Sequence, residues 1–407
     1  MKTWKDRTMA YAAVALIGMG IAGIVFSAAM GGDQQMQMRK EEARISFALC
    51  GDDEIQQIAE ETARIFRKQN HCRVDVYCYS TREELESNIL GQIAGGDTFD
   101  VFIITDEMLS RLSGEKELQC LDDVVEKRHQ SGEDFYQVAL SCGQTDGVQY
   151  ALPSGVDPCM IYYNRTMMEE AGIQEPQGML ERGCWNLDGF AACIREIREK
   201  LNLTGIHLYR EWCVEEPFLL CGGGGWQEQG NGIGPDDTML RTVEVLKQLK
   251  AEGALEMIRT EQYDTIRELF VEGKLPMMIG KLDMTRACSR SGFVWDIVPF
   301  PSAEGAFDNV NIDVSLIAVG KGRHVEQAKE FVDYYVSGFG QKTRLERGEC
   351  QMPSLNMAFY TSMGDVVFPE HSNYYFFALE NGYAQNRRET EREQALQLWE
   401  TYMTEKD

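Results

Sequence analysis

The chain has 407 residues, of which 43 % are hydrophobic, and 65 acidic against 40 basic side chains give it a formal net charge of −25. Single hydrophobic cores stop growing at about 250–300 residues, so we expect more than one packing unit. The apolar fraction excludes a largely disordered chain. The acidic balance argues against a nucleic-acid binder, because binding phosphates requires clustered Lys and Arg.

The N-terminus combines a basic start with a long apolar run. Lys2, Lys5 and Arg7 precede an uncharged stretch over residues 9–30. As a helix this stretch would span roughly 33 Å at about 1.5 Å per residue, enough for a hydrocarbon core of about 30 Å. The flanking charges predict a cytoplasmic start and an exported body. We expect an uncleaved anchor; a signal peptide cut after the small residues 27–29 is the alternative.

The segment that follows alternates between strand and helix patterns. Apolar strands are predicted at 45–50, 74–79 and 100–105, with helical patterns between them at 55–66 and 81–93. Arg67 and Lys68 come near the end of the first helix, where cations suit the helix dipole, and Thr81 with Glu84 forms a capping box for the second. This order predicts a parallel sheet covered by helices on both faces.

Carboxylates follow two of these strands. Asp52 and Asp53 come after the first strand, and Asp106 comes after the third. Parallel sheets bind ligands at the carboxyl ends of their strands, where these side chains could accept hydrogen bonds from hydroxyl groups. For Asp52 and Asp53, simple capping of the next helix is the alternative.

The known catalytic and cofactor motifs are missing. The sequence contains no HExxH, GxSxG, GxxxxGK[ST] or CxxC pattern. We therefore predict a non-enzymatic protein without a cofactor or a metal site; an enzyme such as a glycosidase or lyase is the alternative, since carboxylate pairs are abundant in so acidic a chain. Its 12 cysteines leave two interpretations open, namely a few structural disulfides or free thiols in an anaerobic habitat.

Several short segments occur in an order and spacing typical of one family. They are YALP at 150–153, IYYN at 161–164, AGI at 171–173, CWNLDGF at 184–190, FVEGK at 270–274 and VPFP at 298–301. Together they resemble the family 1 extracellular solute-binding proteins, the maltose-binding-protein-like receptors of bacterial ABC importers. The resemblance covers nearly all of residues 45–355.

The resemblance implies an α/β, two-lobed, type II periplasmic-binding-protein-like fold with the ligand cleft between the lobes. Residues 1–44 would be the anchor helix and a polar tether. Lobe 1 would comprise 45–153 plus 302–350, and lobe 2 would comprise 154–301 plus 351–407. The stretch 147–164 reads as two extended runs around Pro153–Gly155 that cross between the lobes.

The resemblance also suggests which residues line the cleft. Nine side chains are expected to be ligand-binding: Asp52, Asp53, Asp106, Asp157, Glu211, Trp212, Trp226, Lys281 and Asp313. Carboxylates and aromatic plates suit the hydroxyl edges and C–H faces of a sugar. For Trp212 and Trp226, packing in the lobe-2 core is the alternative.

The resemblance therefore implies a monomeric extracytoplasmic receptor that captures a mono- or oligosaccharide and delivers it to ABC permease subunits. Two alternatives stay open. The acidic candidates Asp52, Asp53, Asp106 and Asp157 suit a cationic ligand such as a polyamine, and a retained anchor suits a ligand sensor without transport.

Overall fold

The computed structural model describes residues 43–104, 106–229, 232–355, 367–384 and 397. The apolar run at 9–30, predicted to be an anchor or signal peptide, lies outside these residues. Within them, no helix combines the length and the apolar character that a membrane span requires.

The strands of the described residues are numbered in chain order. They are β1 Ala43–Cys50, β2 Cys72–Tyr79, β3 Val101–Ile104, β4 Gln144–Thr145, β5 Val148–Gln149, β6 Ala151–Pro158, β7 Met160–Asn164, β8 Ile206–Tyr209, β9 Trp226–Gln229, β10 Gly232–Pro235, β11 Leu255–Ile258, β12 Met277–Gly280, β13 Trp295–Val298, β14 Asn311–Val319 and β15 Tyr383–Ala384.

The helices are numbered in the same way. They are α1 Asp53–Asn70, α2 Arg82–Ala94, α3 Asp106–Gly114, α4 Asp122–Gln130, α5 Gln137–Ser141, α6 Arg165–Glu170, α7 Pro176–Leu180, α8 Leu187–Leu201, α9 Trp212–Leu220, α10 Asp237–Ala251, α11 Tyr263–Val271, α12 Leu282–Cys288, α13 Val325–Val336, α14 Gly338–Leu345 and α15 Tyr374–Asn381.

A six-stranded sheet forms the centre of lobe 1. Its order is β15-β14-β3-β1-β2, with β6 also paired to β14. β1 runs parallel to β2 and β3, as the sequence predicted, whereas β14 returns antiparallel to β3 and β6. Helices cover both faces: Phe47 of β1 packs in one core with Phe66 and Phe331, and its neighbour Ala48 packs in another with Ile89.

Lobe 2 is built around smaller sheets. β7 lies between β12 and β13 and is antiparallel to both, while β8 and β11 form a parallel pair beside β12. Trp185, Phe190, Phe218 and Phe300 are fully buried in its main core, and their rings meet edge to face or tilted. The indole nitrogen of Trp185 donates to the Pro299 carbonyl at 2.8 Å, which fixes the segment that follows β13.

The chain crosses from the first sheet to the second at Cys159, between β6 and β7. The sequence predicted two extended runs around Pro153–Gly155, whereas a single strand, β6, continues through these residues. A register shift between Ser315 and Leu316 of β14 accommodates one extra residue of β6 as a β-bulge, so pairing resumes beyond it. The lobe boundaries at residues 153, 301 and 350 stay predictions.

The ends of α1 follow the charge rules read from the sequence. Asp52 caps the N-terminus by accepting from the Ile55 amide at 2.9 Å, and Asp53 and Glu54 occupy the first turn. Arg67 and Lys68 occupy the last turn, where cations suit the helix dipole.

All 12 cysteines of the chain are free thiols.

Candidate functional site

Four charged side chains meet where the two lobes face each other. Lys281 lies between β12 and α12, and its Nζ is 2.7 Å from Asp313 Oδ2 and 3.4 Å from Glu211 Oε2. Arg82, the first residue of α2 in lobe 1, places its Nη2 3.7 Å from the same oxygen of Asp313. We call Arg82, Glu211, Lys281 and Asp313 the cleft floor; it contains two charges of each sign.

The opposite charges of the cleft floor stabilise one another in their ionised forms. Burial opposes the charge of the Lys281 ammonium, but the negative groups around it, Asp313 foremost, hold its pKa well above the ordinary value. Asp313 likewise raises the pKa of Arg82. The side chains keep contact with solvent, with exposed fractions from 20 % for Lys281 to 62 % for Arg82. They can therefore exchange partners with a ligand that enters from water.

Asp157 lies beneath the cleft floor on β6, directly opposite Asp313 in the register of β14. It is 8 % exposed, and its Oδ1 accepts from the Leu282 amide at 2.8 Å. Burial raises the pKa of Asp157 well above the ordinary value, although Lys281 acts in the opposite direction. Asp157 thus fixes the first turn of α12 beside Lys281.

A buried hydroxyl cluster holds Lys281 from the other side. Tyr162 of β7 donates to the Lys281 carbonyl at 2.7 Å, and its oxygen is 2.8 Å from Tyr375 Oη and 3.0 Å from Thr285 Oγ1. Tyr375 and Thr285 are 2.6 Å apart. The cluster therefore joins strand β7, helix α12 and helix α15 at the residue that carries the central ammonium.

Two more tyrosines stand near the cleft floor. The rings of Tyr209 and Tyr263 meet edge to face with centroids 4.9 Å apart. Burial raises the pKa of both, and Glu211 adds to the effect for Tyr209. Tyr209 is buried, whereas Tyr263 is half-buried, so Tyr263 has the more accessible ring face.

Asp52 and Asp53 lie apart from the cleft floor. They belong to an open cavity of about 550 Å³ at the carboxyl ends of β1 and β2, which Glu54, Cys78, Ser80 and Glu84 also line. We call Asp52, Asp53, Glu54 and Glu84 the acidic rim. Glu54 faces Arg286 of α12 at 3.7 Å, which joins the acidic rim to lobe 2. Asp52 serves at the same time as the cap of α1, as its alternative interpretation predicted.

The three remaining residues that were predicted to bind ligand are not seen to join the cleft floor or the acidic rim. Asp106 begins α3 and Trp212 begins α9, but the structure describes neither side chain. Trp226 begins β9 and packs against the lobe-2 core, and its enclosed Nε1 has no hydrogen-bond partner among the described residues. The described residues contain no group of His, Cys, Asp and Glu arranged to hold a metal ion.

The sequence thus predicted four of the residues that meet here, Asp157, Glu211, Lys281 and Asp313, and missed others. Arg82 was overlooked because Thr81 and Glu84 indicated only a helix cap. Thr81 is indeed the cap, accepting from the Glu84 amide at 3.1 Å. The signal for Arg82 was its place directly after a strand of the parallel sheet.

A comparison with known protein families identifies the family of this chain. The model described as "Bacterial extracellular solute-binding protein" matches residues 61–350, more than half of the chain. The chain belongs to this family. Its members are non-enzymatic receptors outside the cytoplasm, so the absence of catalytic motifs is in keeping with the family. No curated protein matches the chain in a sequence comparison.

Solved structures support the fold. The GacH receptor of Streptomyces glaucescens, studied unliganded and with acarbose, has a TM-score of 0.70 at 18 % identity over 90 % of this chain and 95 % of its own. The sugar-binding protein MalE of Xanthomonas citri has a TM-score of 0.69 at 14 % identity, covering 89 % and 93 %.

A third structure has a different ligand. UgpB of Mycobacterium tuberculosis, in complex with glycerophosphocholine, has a TM-score of 0.68 at 14 % identity, covering 88 % of this chain and 91 % of its own. This solute-binding protein therefore shares its fold with proteins that bind chemically different solutes, and the fold alone does not select among them.

Proposed function

We propose that this solute-binding protein is the receptor of an ABC importer and captures a neutral mono- or oligosaccharide by closing its two lobes around it. The observation that carries the proposal is the balanced charge of the cleft floor. Each carboxylate there already has a cation: Asp313 contacts Lys281 and Arg82, and Glu211 contacts Lys281. A neutral ligand with many hydroxyl groups can replace these contacts without leaving a net charge buried.

The hydrogen-bonding capacity of the cleft floor suits a sugar. Lys281 and Arg82 only donate hydrogen bonds, whereas Asp313 and Glu211 only accept them. A sugar hydroxyl does both, so neighbouring hydroxyls can insert between Lys281 and its two carboxylates. Hydrogen bonds to charged groups are stronger than those between neutral groups, at about 1.5–3 kcal/mol each.

Closure follows from the origin of the four side chains. Arg82 and Asp313 come from lobe 1, and Lys281 and Glu211 come from lobe 2. A ligand that contacts both sets gains interactions only when the lobes are together, and it therefore shifts the equilibrium toward the closed state. The closed form is the state that a permease can recognise.

The anchor belongs to the same proposal. We infer that residues 9–30 hold the receptor at the outer face of the membrane, with cleavage and secretion as the alternative. A retained anchor is equally compatible with a sensor that reports the ligand without importing it. Permease genes next to this one would favour import.

A cationic ligand is the second candidate, and the acidic rim is the observation that favours it. Asp52 and Asp53 are exposed, and Glu84 adds a third carboxylate to the same cavity. A polyamine could therefore bind at the acidic rim, whereas a sugar would bind at the cleft floor.

A thermal-shift screen tests the proposal. The protein is incubated with neutral oligosaccharides, including acarbose and β-1,6-galactobiose, with glycerophosphocholine and with polyamines. We expect stabilisation by at least one sugar, since a ligand at about 100 times its Kd stabilises the folded state by about 2.7 kcal/mol. Stabilisation by a polyamine alone would overturn the sugar assignment.

A further inference from the structure

A groove on the outside of lobe 1 concentrates arginine in an acidic protein. It encloses about 530 Å³ beside the edge strand β2 and against α1. Four arginines but only two carboxylates line it: Arg44, Arg64, Arg67 and Arg73, with Glu60 and Asp75. The chain as a whole has 65 acidic against 40 basic residues, so the local balance is reversed. We call this feature the arginine groove.

Two of the arginines are held in place by one carboxylate. Arg44 and Arg73 both donate through Nε to Asp75, the second at 2.8 Å. Partial burial alone would raise the pKa of Asp75, but these two hydrogen bonds lower it, so the carboxylate stays ionised as an anchor for both guanidinium groups.

The terminal nitrogens of these arginines remain available. Among the described residues they make no hydrogen bond, and the side chains of Arg44 and Arg73 are 64 % and 52 % exposed. Arg64, on the opposite wall, uses Nη2 for Glu61 at 2.7 Å and is 54 % exposed. Forked guanidinium groups that are fixed at Nε and open at their ends match the oxygens of a phosphate group.

The position of the arginine groove indicates where such phosphates come from. β1 begins at Ala43, so the chain enters lobe 1 next to Arg44. Residues 31–42 separate it from the proposed anchor at 9–30 and reach at most about 40 Å when fully extended. The arginine groove is therefore close enough to touch the membrane that holds the anchor.

We propose that the arginine groove docks lobe 1 onto the anionic phospholipid headgroups of that membrane. The docking holds the receptor in one orientation instead of letting it tumble on its tether, although the remainder of its acidic surface is repelled by an anionic membrane. The inference rests on the anchor in the proposed function, but not on the identity of the solute.

The test uses the full chain in lipid nanodiscs. One set contains phosphatidylcholine alone and the other contains phosphatidylcholine with phosphatidylglycerol, and amide hydrogen exchange is measured in both. We expect slower exchange over residues 60–77 only in the phosphatidylglycerol nanodiscs, with the difference lost at high salt because the screening length shortens.

A double variant localises the effect. Arg64→Gln with Arg73→Gln removes one guanidinium from each wall and leaves Arg44 to pair with Asp75. Because each arginine near an anionic surface contributes about 1 kcal/mol, the double variant should lower the equilibrium constant for docking about 30-fold. The control, Arg195→Gln with Arg198→Gln, removes two half-buried arginines from α8 in lobe 2, far from the arginine groove in the chain, and should leave the protection unchanged.

Equal exchange in both lipids, or equal protection in the double variant, would overturn the proposal. Protection by inorganic phosphate in detergent solution without protection in phosphatidylglycerol nanodiscs would assign the arginine groove to free phosphate instead. Failure to incorporate into nanodiscs would remove the anchor on which the proposal rests. Thermal stabilisation by the solute, measured on the same samples, reports on the proposed function separately.

Discussion

The acidic rim and the cleft floor each have an ion pair that joins lobe 1 to lobe 2, but they are organised in opposite ways. The acidic rim holds Asp52, Asp53, Glu54 and Glu84, and its one cationic neighbour among the described ion pairs is Arg286, 3.7 Å from Glu54. The cleft floor pairs each carboxylate with a cation at closer range, down to 2.7 Å between Lys281 and Asp313. The acidic rim therefore shares the excess of carboxylates that gives the chain its net charge of −25, whereas the charges of the cleft floor balance.

The difference matters because the two candidate ligands depend on different regions. A polyamine needs carboxylates that lack a cation, which the acidic rim offers. A sugar needs donors and acceptors side by side, which the cleft floor offers. Substitutions that change one region and spare the other separate the two ligands.

The largest effect is expected from Lys281→Met, which leaves Asp313 and Glu211 without their shared ammonium. Because the partners are partly exposed, we expect a loss of about 2–3 kcal/mol in the free energy of unfolding. Sugar affinity should fall at least about 30-fold, because the central donor is removed. Urea unfolding and calorimetric titration measure the two quantities.

Lys274→Met is the matched control for that variant. Lys274 is 62 % exposed and pairs with Glu272 at the surface, so its loss should cost at most about 0.5 kcal/mol. Equal effects of the two substitutions would mean that the cleft floor has no special role.

The second effect concerns pH. The folded protein keeps the proton on Asp157 to a higher pH than the unfolded chain does, because burial raises its pKa. Stability should therefore decline as pH rises above about 4, the ordinary value for Asp, until the raised folded pKa is passed. The contribution of one such group is at most about 1.4 kcal/mol per pH unit.

Asp157→Asn replaces the titratable carboxyl group by an amide and retains an oxygen that can accept the hydrogen bond from the Leu282 amide. We expect the stability of the variant to lack the decline with rising pH that Asp157 causes. The free energy of unfolding is measured in urea between pH 4 and pH 8, at steps of about one pH unit. Parallel curves for the two proteins would show that Asp157 ionises in the fold as it does in the unfolded chain.

A smaller effect is expected from Tyr375→Phe. The change removes one hydroxyl from the buried cluster with Tyr162 and Thr285 and should cost about 1 kcal/mol of stability. Because the cluster holds the Lys281 carbonyl, sugar affinity should fall as well, by a few-fold. Tyr374→Phe, whose hydroxyl donates to Gln177, is the control and should leave affinity unchanged.

The smallest effect is expected at the acidic rim. Asp53→Asn combined with Glu84→Gln removes two exposed negative charges without touching Lys281 or Asp313. Stability and sugar affinity should change by less than about 0.5 kcal/mol. A large loss of affinity in calorimetric titration would move the binding site from the cleft floor to the acidic rim and favour a cationic ligand.

The sequence predicted the parts of this molecule that depend on local pattern. The parallel unit of β1, β2 and β3 appeared in the alternation of strand and helix, and the cap at Thr81 followed from its spacing to Glu84. Four charged residues of the site were named from the family resemblance, although segments far apart in the chain carry them.

The pairing of those residues could not be predicted in the same way. Whether Lys281 faces Asp313 depends on how the lobes approach each other and on the register of β6 against β14, which includes a bulge. Tyr375 was not anticipated because periodicity identifies a buried helix face but says nothing of where a buried hydroxyl finds its partner. Asp52 and Asp53 were selected because they follow the first strand of the parallel sheet, but their charges lie apart from the balanced group.

The most direct test is a crystal structure of the protein with the sugar that stabilises it most. We predict that hydroxyl groups of the ligand lie within hydrogen-bonding distance of Lys281, Asp313 and Glu211, with Arg82 completing the contact from lobe 1. A ligand bound at the acidic rim, with the Lys281–Asp313 pair undisturbed, would contradict the account.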